Sequence, residues 1–335
     1  MAHQSVSLVI PGRNCAATIA HCLSAVIPLL RTTSLEEVIF VDDGSTDDTA
    51  AIVEKYDVEY VRGSGKGPGA ARNIGWKRAR HPLVWFVDAD CVAEPEALEL
   101  LLPHLEDSNV AAVGGSYGTM TADSLLAGLI HEEIVERHLA MSARVDFLAS
   151  FNVLFRRTVL ERTGGFNESF LKAQDAELAW RVLDAGYQLA FDVNSLVKHF
   201  HPVRWRNYFA TQRQQGYWRV WLYSLHRRRI HGDSYSGTLD HLQPPLAMLS
   251  VATAPLAVAP RMAWVPACAA SLLVIAQLPM ALRLVRRKRH LRYVALVVMG
   301  FLRAFARGAG MLSGLIAVAV HRLSRSRRDD RMGAT

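Results

Sequence analysis

Two carboxylates follow directly on a short apolar stretch in the sequence VWFVDADC, residues 84–91. Asp88 and Asp90 are two residues apart, so on extended backbone their side chains point to the same side. Close carboxylates repel each other unless a proton or a cation lies between them. Carboxylates suit a hard cation such as Mg²⁺ or Mn²⁺, which often takes substrate phosphates as further ligands. The spacing therefore indicates a metal-bound phosphate ester, with a plain solvated strand end as the alternative.

Two other stretches offer groups for the same chemistry. In VDDGSTDDT, residues 41–49, Asp42 and Asp43 precede a glycine; the alternative is a turn followed by a capped helix. The glycine-rich GSGKGPGAARN, residues 63–73, contains Lys66 and Arg72 and suits a diphosphate, although a plain flexible loop is the alternative. This stretch lacks both the G-K-[ST] of a P-loop and the G-x-G-x-x-G of a dinucleotide site.

The elements that must position these residues alternate along the first 115 residues. SVSLVI, EVIFVDD, VEYVR, LVWFVDAD and VAAVGG predict strands, and helical stretches separate them. Such alternation predicts an α/β domain with a mostly parallel central sheet flanked by helices. Sheets of this kind bind ligands outside the carboxyl ends of their strands. Those ends hold residues 11–14, Asp42, Asp43, Asp88 and Asp90.

Taken together, the motifs resemble glycosyltransferase family 2, the inverting enzymes with a GT-A nucleotide-sugar-binding fold, here of a membrane-anchored bacterial type. The motifs SLVIPGRN, VDDGSTDDT, GPGAARNIG, VWFVDADC and GGFNESFLKAQDAELAWRVLDAGY occur in the order of that family, over about residues 5–203. The resemblance implies a nucleotide-sugar donor and Mg²⁺ or Mn²⁺. It assigns Asp90 to the metal and Asp88 to the nucleotide. The other implied donor-site residues are Pro11, Arg13, Asp42, Asp43, Lys66 and Arg72.

The same resemblance implies Asp175 as the general base that activates the acceptor hydroxyl, with an N-cap of the following helix as the alternative. Either His199 or His201 could ligate the metal or contact the diphosphate, with His199 as the preferred metal ligand, or they could equally be packed structural histidines. Glu177 and Arg181 are i, i+4 and could simply pair. Two positions depart from the family pattern: Gln174 replaces the usual glutamate before the base, and Cys15 replaces the acidic residue that often follows the P-x-x-N asparagine.

The second half of the chain has a different character. Residues 201–335 carry 21 of the 38 basic side chains and only 4 of the 31 acidic ones. Residues 263–285 contain a single charge, Arg283 near their end, and are followed by RRKRH, which predicts a membrane span with positive-inside flanks rather than a buried core helix. A lipid head-group layer is therefore the expected partner of the basic half, and nucleic acid is not expected.

We expect four segments: a cytosolic GT-A domain at 1–203, an amphipathic or interfacial linker at 204–243, a transmembrane hairpin plus a re-entrant or interfacial helix at 244–322, and a basic tail at 323–335. In the third segment, residues 293–320 could break near Gly308 and Gly310. No signal peptide is recognised at the N-terminus, and the four cysteines form no C-x-x-C pair, as in a reducing compartment. These features predict the cytoplasmic membrane, with the catalytic domain facing the cytosol.

The predicted function is metal-dependent transfer of a sugar to a lipid, lipid-linked or polysaccharide-precursor hydroxyl. A processive polysaccharide synthase is one alternative, but QRQQGYWRVW reverses the Q-x-x-R-W order of those enzymes at Trp218 and Arg219. A non-catalytic membrane scaffold is another, and it would need none of Asp88, Asp90 and Asp175. An NAD enzyme lacks its fingerprint here.

Overall fold

The computed structural model describes residues 4–121, 123–229 and 232–332, with side chains up to residue 324. The predicted basic tail at 323–335 therefore lies largely outside the described side chains. The chain divides into two compact units, Met1–His201 and Pro202–Thr335. Each unit is considered by itself below.

The first unit is built on a single sheet. Its described strands are β1 Val6–Gly12, β2 Leu35–Asp42, β3 Glu59–Arg62, β4 Leu83–Val87, β5 Cys91–Ala93, β6 Val110–Thr119, β7 Arg144–Val145, β8 Asn152–Arg156 and β9 Gln188–His199. They lie in the order β3-β2-β1-β4-β8-β6-β9-β5, with β7 beside β9. β1 to β4 are parallel to one another, as predicted. Beyond β4 the sheet is mixed, because β8 runs antiparallel to both β4 and β6 and β5 runs antiparallel to β9.

Helices cover the sheet on both faces. In the described part of this unit they are α1 Ile19–Val26, α2 Thr49–Val53, α3 Pro68–Arg78, α4 Ala97–Leu101, α5 Leu125–Leu139, α6 Arg157–Thr163 and α7 Gln174–Asp184. β4 shows why two layers form, since all five of its residues are buried. Trp85 packs into the core on one face of the strand and Phe86 into the core on the other. A strand buried on both faces reads as a continuous apolar run, which is what the sequence shows.

The second unit is helical throughout its described elements. They are α8 Trp205–Leu225, α9 Thr238–Thr253, α10 Trp264–Lys288 and α11 Ala295–Met332, with single 3₁₀ turns between them. Two stretches, Trp264–Lys288 and Leu291–Ser324, are long and apolar enough to cross a bilayer. Only 22% of the apolar window of α10 is buried, and its exposed side chains include Leu272, Ile275 and Leu282. This exposure is unlike that of a buried core helix, the alternative weighed for this segment.

α11 is one continuous helix, so the break that we considered near Gly308 and Gly310 is wrong. The two glycines serve close packing instead. A Cβ atom at Gly310 would lie 1.9 Å from the backbone oxygen of Arg213 on α8, and one at Gly308 would lie 2.8 Å from that of Pro244 on α9. Glycine in a helix interior costs about 1 kcal/mol relative to alanine and does not by itself end the helix.

The cationic face of α11 packs against α8. Arg307 donates from Nε to Oε1 of Gln212 at 2.8 Å and from Nη2 to Oε1 of Gln215 at 3.2 Å. Arg303 is buried in the same seam, with Nη1 3.5 Å from the hydroxyl of Tyr208. Arg303 and Arg307 are i, i+4 in the sequence and share one helix face, and within this unit that face meets the polar side of α8.

Candidate active site

The carboxyl ends of β1 and β2 bring two of the predicted motifs together. Parallel register places Gly12 opposite Asp42, and the backbone N–H of Asp43 donates to the carbonyl of Gly12 at 2.8 Å. The loop after β1 is then tied to the loop after β2, because Thr46 N–H donates to Oδ1 of Asn14 at 2.8 Å. Pro11 is buried at the end of β1 and Arg13 is exposed beyond it.

Asp42 and Asp43 differ in what they contact. Both oxygens of Asp42 accept internal hydrogen bonds, from Ser45 N–H at 2.7 Å and from the Tyr60 hydroxyl at 2.7 Å. Burial raises the pKa of Asp42, but these hydrogen bonds outweigh it and the pKa lies below its ordinary value. Asp43 accepts from Gly67 N–H at 2.7 Å through Oδ2, while its buried Oδ1 has no hydrogen-bond partner among the described residues. Asp43 is therefore the carboxylate with an oxygen available to a ligand.

Side chains from the start of α2 hold the turn at Cys15, where the family pattern often has an acidic residue. Cys15 N–H donates to Oγ1 of Thr49 at 2.9 Å, and Ala16 N–H donates to Oδ2 of Asp47 at 3.1 Å. Burial raises the pKa of the Cys15 thiol to about 11. Asp47 thus supplies the negative charge at this turn, and it also accepts from Thr49 N–H at the start of α2 at 3.1 Å.

The glycine-rich stretch forms the turn into α3. Gly67 has φ +105°, which favours glycine, and Pro68 follows as the first helical residue. Lys66 is exposed in this turn. Because Gly67 N–H binds Asp43, the turn fixes that carboxylate, and Lys66 is the cationic side chain of the turn.

Arg72 on α3 reaches the end of β4. Its Nη2 lies 2.5 Å from Oδ1 of Asp88, and its guanidinium lies 5.5 Å from the ring centroid of Phe166. The Arg72 side chain is 4% exposed, and its Nε and Nη1 are buried without a hydrogen-bond partner among the described residues. Burial and the adjacent Asp90 carboxylate raise the pKa of Asp88, against the opposing effect of Arg72. The structure therefore joins two residues that were predicted to share the nucleotide site.

Asp90 meets His199, the histidine that we preferred. Antiparallel pairing sets Cys91 of β5 opposite His199 of β9, and His199 Nε2 lies 3.2 Å from Oδ2 of Asp90. Burial raises the pKa of Asp90, but the contact with His199 outweighs it and the pKa lies below its ordinary value. A charged carboxylate beside an imidazole nitrogen provides two ligand atoms of types that bind Mn²⁺.

The Cys91 thiol lies at the same place, since ligand atoms of Asp90, Cys91 and His199 are all within 4.8 Å of one another. Burial, followed by the charges of Asp90 and Asp88, raises the pKa of Cys91 well above its ordinary value. A buried, protonated thiol is a poor ligand for a hard cation. The residues that fit a Mg²⁺ or Mn²⁺ ion here are Asp90 and His199, leaving positions for water and phosphate oxygens.

Asp175 lies in the first turn of α7 and is not its N-cap. That position is Ala173, a non-glycine residue in the left-handed conformation at φ +62°, so the cap alternative is wrong. α7 is held by Arg181, which donates to the carbonyl of Gly165 at 2.6 Å and pairs with Glu177 at 2.7 Å, confirming the i, i+4 pair. Gly165 precedes Phe166, whose ring contacts Arg72, so one short loop links α7 to the Arg72–Asp88 pair.

Asn73 and Tyr60 at this edge were not predicted, and His201 was named in the sequence without its contact to His199. Asn73 is buried beside Arg72 and holds the loop before α7 through Phe166 O at 2.8 Å. Tyr60 anchors Asp42, as described above. His201 is buried behind His199. The adjacency of Asn73 to Arg72 in one motif was a signal for the first; nothing in the sequence pointed to the other two contacts, because they depend on strand register and on the turn after β9.

Comparisons with known proteins give the family of the chain. The family described as "Glycosyl transferase family 2" matches residues 7–164. The pre-mycofactocin glycosyltransferase of Mycobacterium tuberculosis is 28% identical over 227 residues, 62% of this chain and 45% of that protein. Glycosyltransferase AglE of Haloferax volcanii is 30% identical over 214 residues, 59% of this chain and 67% of that protein. The chain spans about half the length of the first of these relatives.

A solved structure shares the fold. The mannosyltransferase PcManGT from Pyrobaculum calidifontis, in complex with GDP-Man and Mn²⁺, superposes with a TM-score of 0.60 at 20% identity, covering 92% of this chain and 86% of that one. The mixed sheet with flanking helices described above is the GT-A fold, as the sequence predicted.

Proposed function

Since this chain belongs to glycosyltransferase family 2, we propose that it is a metal-dependent inverting glycosyltransferase that moves a sugar from a nucleotide-sugar donor to an acceptor hydroxyl. The observation that carries the proposal is the pairing of Asp90 with His199 at 3.2 Å. It joins the end of the D-x-D motif to the end of β9 in a donor set suited to Mg²⁺ or Mn²⁺. The fold by itself does not require the side chains of Asp90 and His199 to be in contact.

The donor site extends along the strand ends from this pair. The free Oδ1 of Asp43 is a hydrogen-bond acceptor for a nucleoside N–H or hydroxyl. Arg72 holds Asp88 through Nη2 and keeps two further nitrogens as donors, which suit diphosphate oxygens. Pro11, Arg13 and Lys66 complete the proposed donor site.

Transfer requires one general base. The Asp175 carboxylate takes the proton of the acceptor hydroxyl while that oxygen attacks the anomeric carbon, and the bond from this carbon to the diphosphate breaks on the opposite face. Asp90 and His199 would hold a divalent cation, which when bound would supply positive charge against the charge that develops on the leaving diphosphate. Arg72 adds to the same stabilisation from its fixed position beside Asp88.

The acceptor is proposed to be a lipid or lipid-linked hydroxyl at the cytoplasmic membrane, with the catalytic unit in the cytosol. The two long apolar helices, with exposed leucine and isoleucine side chains, support membrane attachment. Processive synthesis is not favoured by the reversed motif, because Arg219 is paired with the buried Asp233 at 3.1 Å. That pair gives the arginine a structural role within the second unit.

Nucleotide binding tests the proposal. Full-length protein in detergent is titrated with UDP, GDP and NAD, each with and without Mn²⁺, and binding is followed by thermal shift. We expect one nucleoside diphosphate to bind, more tightly with Mn²⁺, and NAD not to bind. Binding of NAD alone, or nucleotide binding indifferent to the metal, would contradict it. Membranes incubated with labelled sugar nucleotides and then extracted with organic solvent identify the sugar and the acceptor.

A further inference from the structure

The turn after β9 brings the side chain of His201 into contact with that of His199. His201 N–H donates to the carbonyl of His199 at 3.1 Å, so the chain turns tightly, and Nδ1 of His201 lies 2.9 Å from Nδ1 of His199. The two rings are 4.5 Å apart between centroids and inclined at 71°. Phe200, between them, donates its N–H to the carbonyl of Asp90 at 3.0 Å. The turn therefore binds the D-x-D loop and both histidines into one backbone framework.

His201 is an unusual choice for a packing residue. It is 3% exposed, and its Nε2 has no hydrogen-bond partner among the described residues. A buried polar atom without a partner costs about 1–3 kcal/mol, which an apolar side chain of similar size would avoid. The hydrogen bond described for its ring is the one to His199. The use of a histidine at this position is thus explained by what it does for His199.

Two nitrogens in contact share one proton, and the choice decides which atom of His199 is free. If His199 donates from Nδ1, its Nε2 carries a bare lone pair directed at the Asp90 carboxylate, and this arrangement is favourable with a cation between them. If His201 donates instead, His199 Nε2 carries the proton and binds Asp90 directly. The first state is the one that a metal ligand needs, and it requires an acceptor at His201 Nδ1.

We propose that His201 is a positioning residue for the metal centre: its Nδ1 accepts the hydrogen bond from His199 Nδ1 and holds His199 Nε2 towards Asp90 and the cation. The inference rests on the proposed function, because it presupposes that Asp90 and His199 bind a divalent ion. It assigns His201 no contact with the metal, the donor or the acceptor. Its effect is on the affinity for the ion.

The test uses amides of different reach. In His201→Asn the amide oxygen lies near the position of Nδ1 and can accept from His199, whereas in His201→Gln the amide lies near the position of Nε2. His201→Leu removes the acceptor. His138→Leu is the matched control, because His138 is also a buried histidine of this unit and bonds to Ser116 Oγ, at 2.8 Å. Mn²⁺ binding to the full chain with saturating nucleoside diphosphate is measured from the electron paramagnetic resonance of free Mn²⁺, and thermal unfolding monitors the fold.

We expect His201→Leu and His201→Gln to bind Mn²⁺ about 10–100-fold more weakly than wild type, the usual effect of losing a partner of a ligating histidine. We expect His201→Asn and His138→Leu to stay close to wild type. Unchanged affinity in both His201→Leu and His201→Gln, or an equal loss in His201→Asn or His138→Leu, would overturn the inference. If His201→Leu does not fold, the other two variants decide: the inference requires His201→Asn to bind Mn²⁺ more tightly than His201→Gln. A wild-type protein that binds no Mn²⁺ would instead refute the proposed function.

Discussion

Arg72 and Asp88 form an ion pair of 2.5 Å between a helix and a strand end, and the two partners differ in exposure: the arginine side chain is 4% exposed and the aspartate 31%. The cation is thus held inside while its carboxylate faces the site. A buried guanidinium with two nitrogens unbonded within the described structure is costly unless another anion completes it. In the proposed enzyme that anion is the donor diphosphate, so binding of the donor and burial of Arg72 depend on each other.

Arg72→Met should weaken both the fold and donor binding. Removing one partner of a buried pair costs ~3–5 kcal/mol, and the partial exposure of Asp88 places this case at the low end. Nucleoside diphosphate affinity should fall as well, because the diphosphate loses its donors. Denaturant unfolding and nucleotide titration measure the two effects. Arg78→Met is the control on the same helix: Arg78 pairs with Glu59 at 2.6 Å but is 60% exposed, so the loss should be about 0–1 kcal/mol. Equal effects of the two variants on stability and on nucleotide affinity would contradict the role of Arg72 in the buried ion pair and in diphosphate binding.

Asp90→Asn should preserve the fold and remove metal dependence. An amide fits the half-exposed strand end, but it lacks the charge that binds Mn²⁺ beside His199. We expect transfer to fall by orders of magnitude and nucleotide binding to lose its response to Mn²⁺. Glu94→Gln, a carboxylate just after β5 that pairs with Lys198 at 2.6 Å, should leave both unchanged. Turnover in Asp90→Asn that still rises with Mn²⁺ would rule out this ligand.

Asp175→Asn should separate chemistry from donor binding. As a base, Asp175 acts on the acceptor, so we expect transfer to fall by ~10²-fold or more while nucleotide affinity is retained. Asp184→Asn, on an exposed residue at the other end of α7, is the matched control and should behave as wild type. The assignment fails if nucleotide affinity and transfer decline together, since Asp175 would then belong to the donor site.

The donor half of the site could be predicted from the sequence because its residues follow parallel strands directly. Residue order alone places Asp42 and Asp88 at one sheet edge. The sequence could not separate Asp42 from Asp43, since their difference depends on Tyr60, which comes from the neighbouring strand β3. Nor could it show the strand reversals at β8 and β5. These arise from long connections whose path no local pattern encodes.

In the helical unit, composition predicted the apolar helices, but it did not predict that α11 is continuous. Gly308 and Gly310 resemble helix breakers, yet each lies where a neighbouring helix approaches too closely for a side chain. Packing outweighs local helix propensity here. A glycine lowers helix stability only a little, and the close contact between helices that it allows offsets this loss. The i, i+4 spacing of Arg303 and Arg307 could be read from the sequence, but the packing of this face against α8 could not.

Acid should destabilise the protein partly through His138. Burial, followed by the charges of His131 and Arg137, lowers the pKa of His138 from 6.5 to about 4. Between these values the unfolded chain binds more protons than the folded one, so stability falls as pH drops from about 6.5 to about 4. His201, with a pKa lowered by burial to about 3, acts in the same direction. His138→Gln should therefore reduce, without abolishing, the slope of stability against pH. Ser116→Ala should lower stability but keep the slope; an unchanged slope in His138→Gln would contradict the prediction.

The membrane topology gives the last prediction. α10 and α11 both qualify as spans by length and composition. However, α11 packs along α8, which carries Arg206, Arg213 and Arg219 and cannot lie in hydrocarbon at modest cost. We therefore propose that α9 and α10 form the hairpin, turning near Arg261, while α11 lies at the interface. This arrangement also places the basic run at residues 286–289 in the cytosol, as the positive-inside rule favours.

Cysteine labelling distinguishes the two arrangements. Arg261→Cys and Ser324→Cys are made separately in a background without the four native cysteines, and each is labelled with an impermeant reagent in intact and in permeabilised cells. We expect position 261 to label from outside and position 324 only after permeabilisation, because α11 stays at the interface on the side on which the basic run lies. If α10 and α11 were the crossing pair and α9 stayed in the interface, both positions would be cytosolic. Protection of position 261 in intact cells, with labelling on permeabilisation, would therefore replace the α9–α10 hairpin by the α10–α11 one.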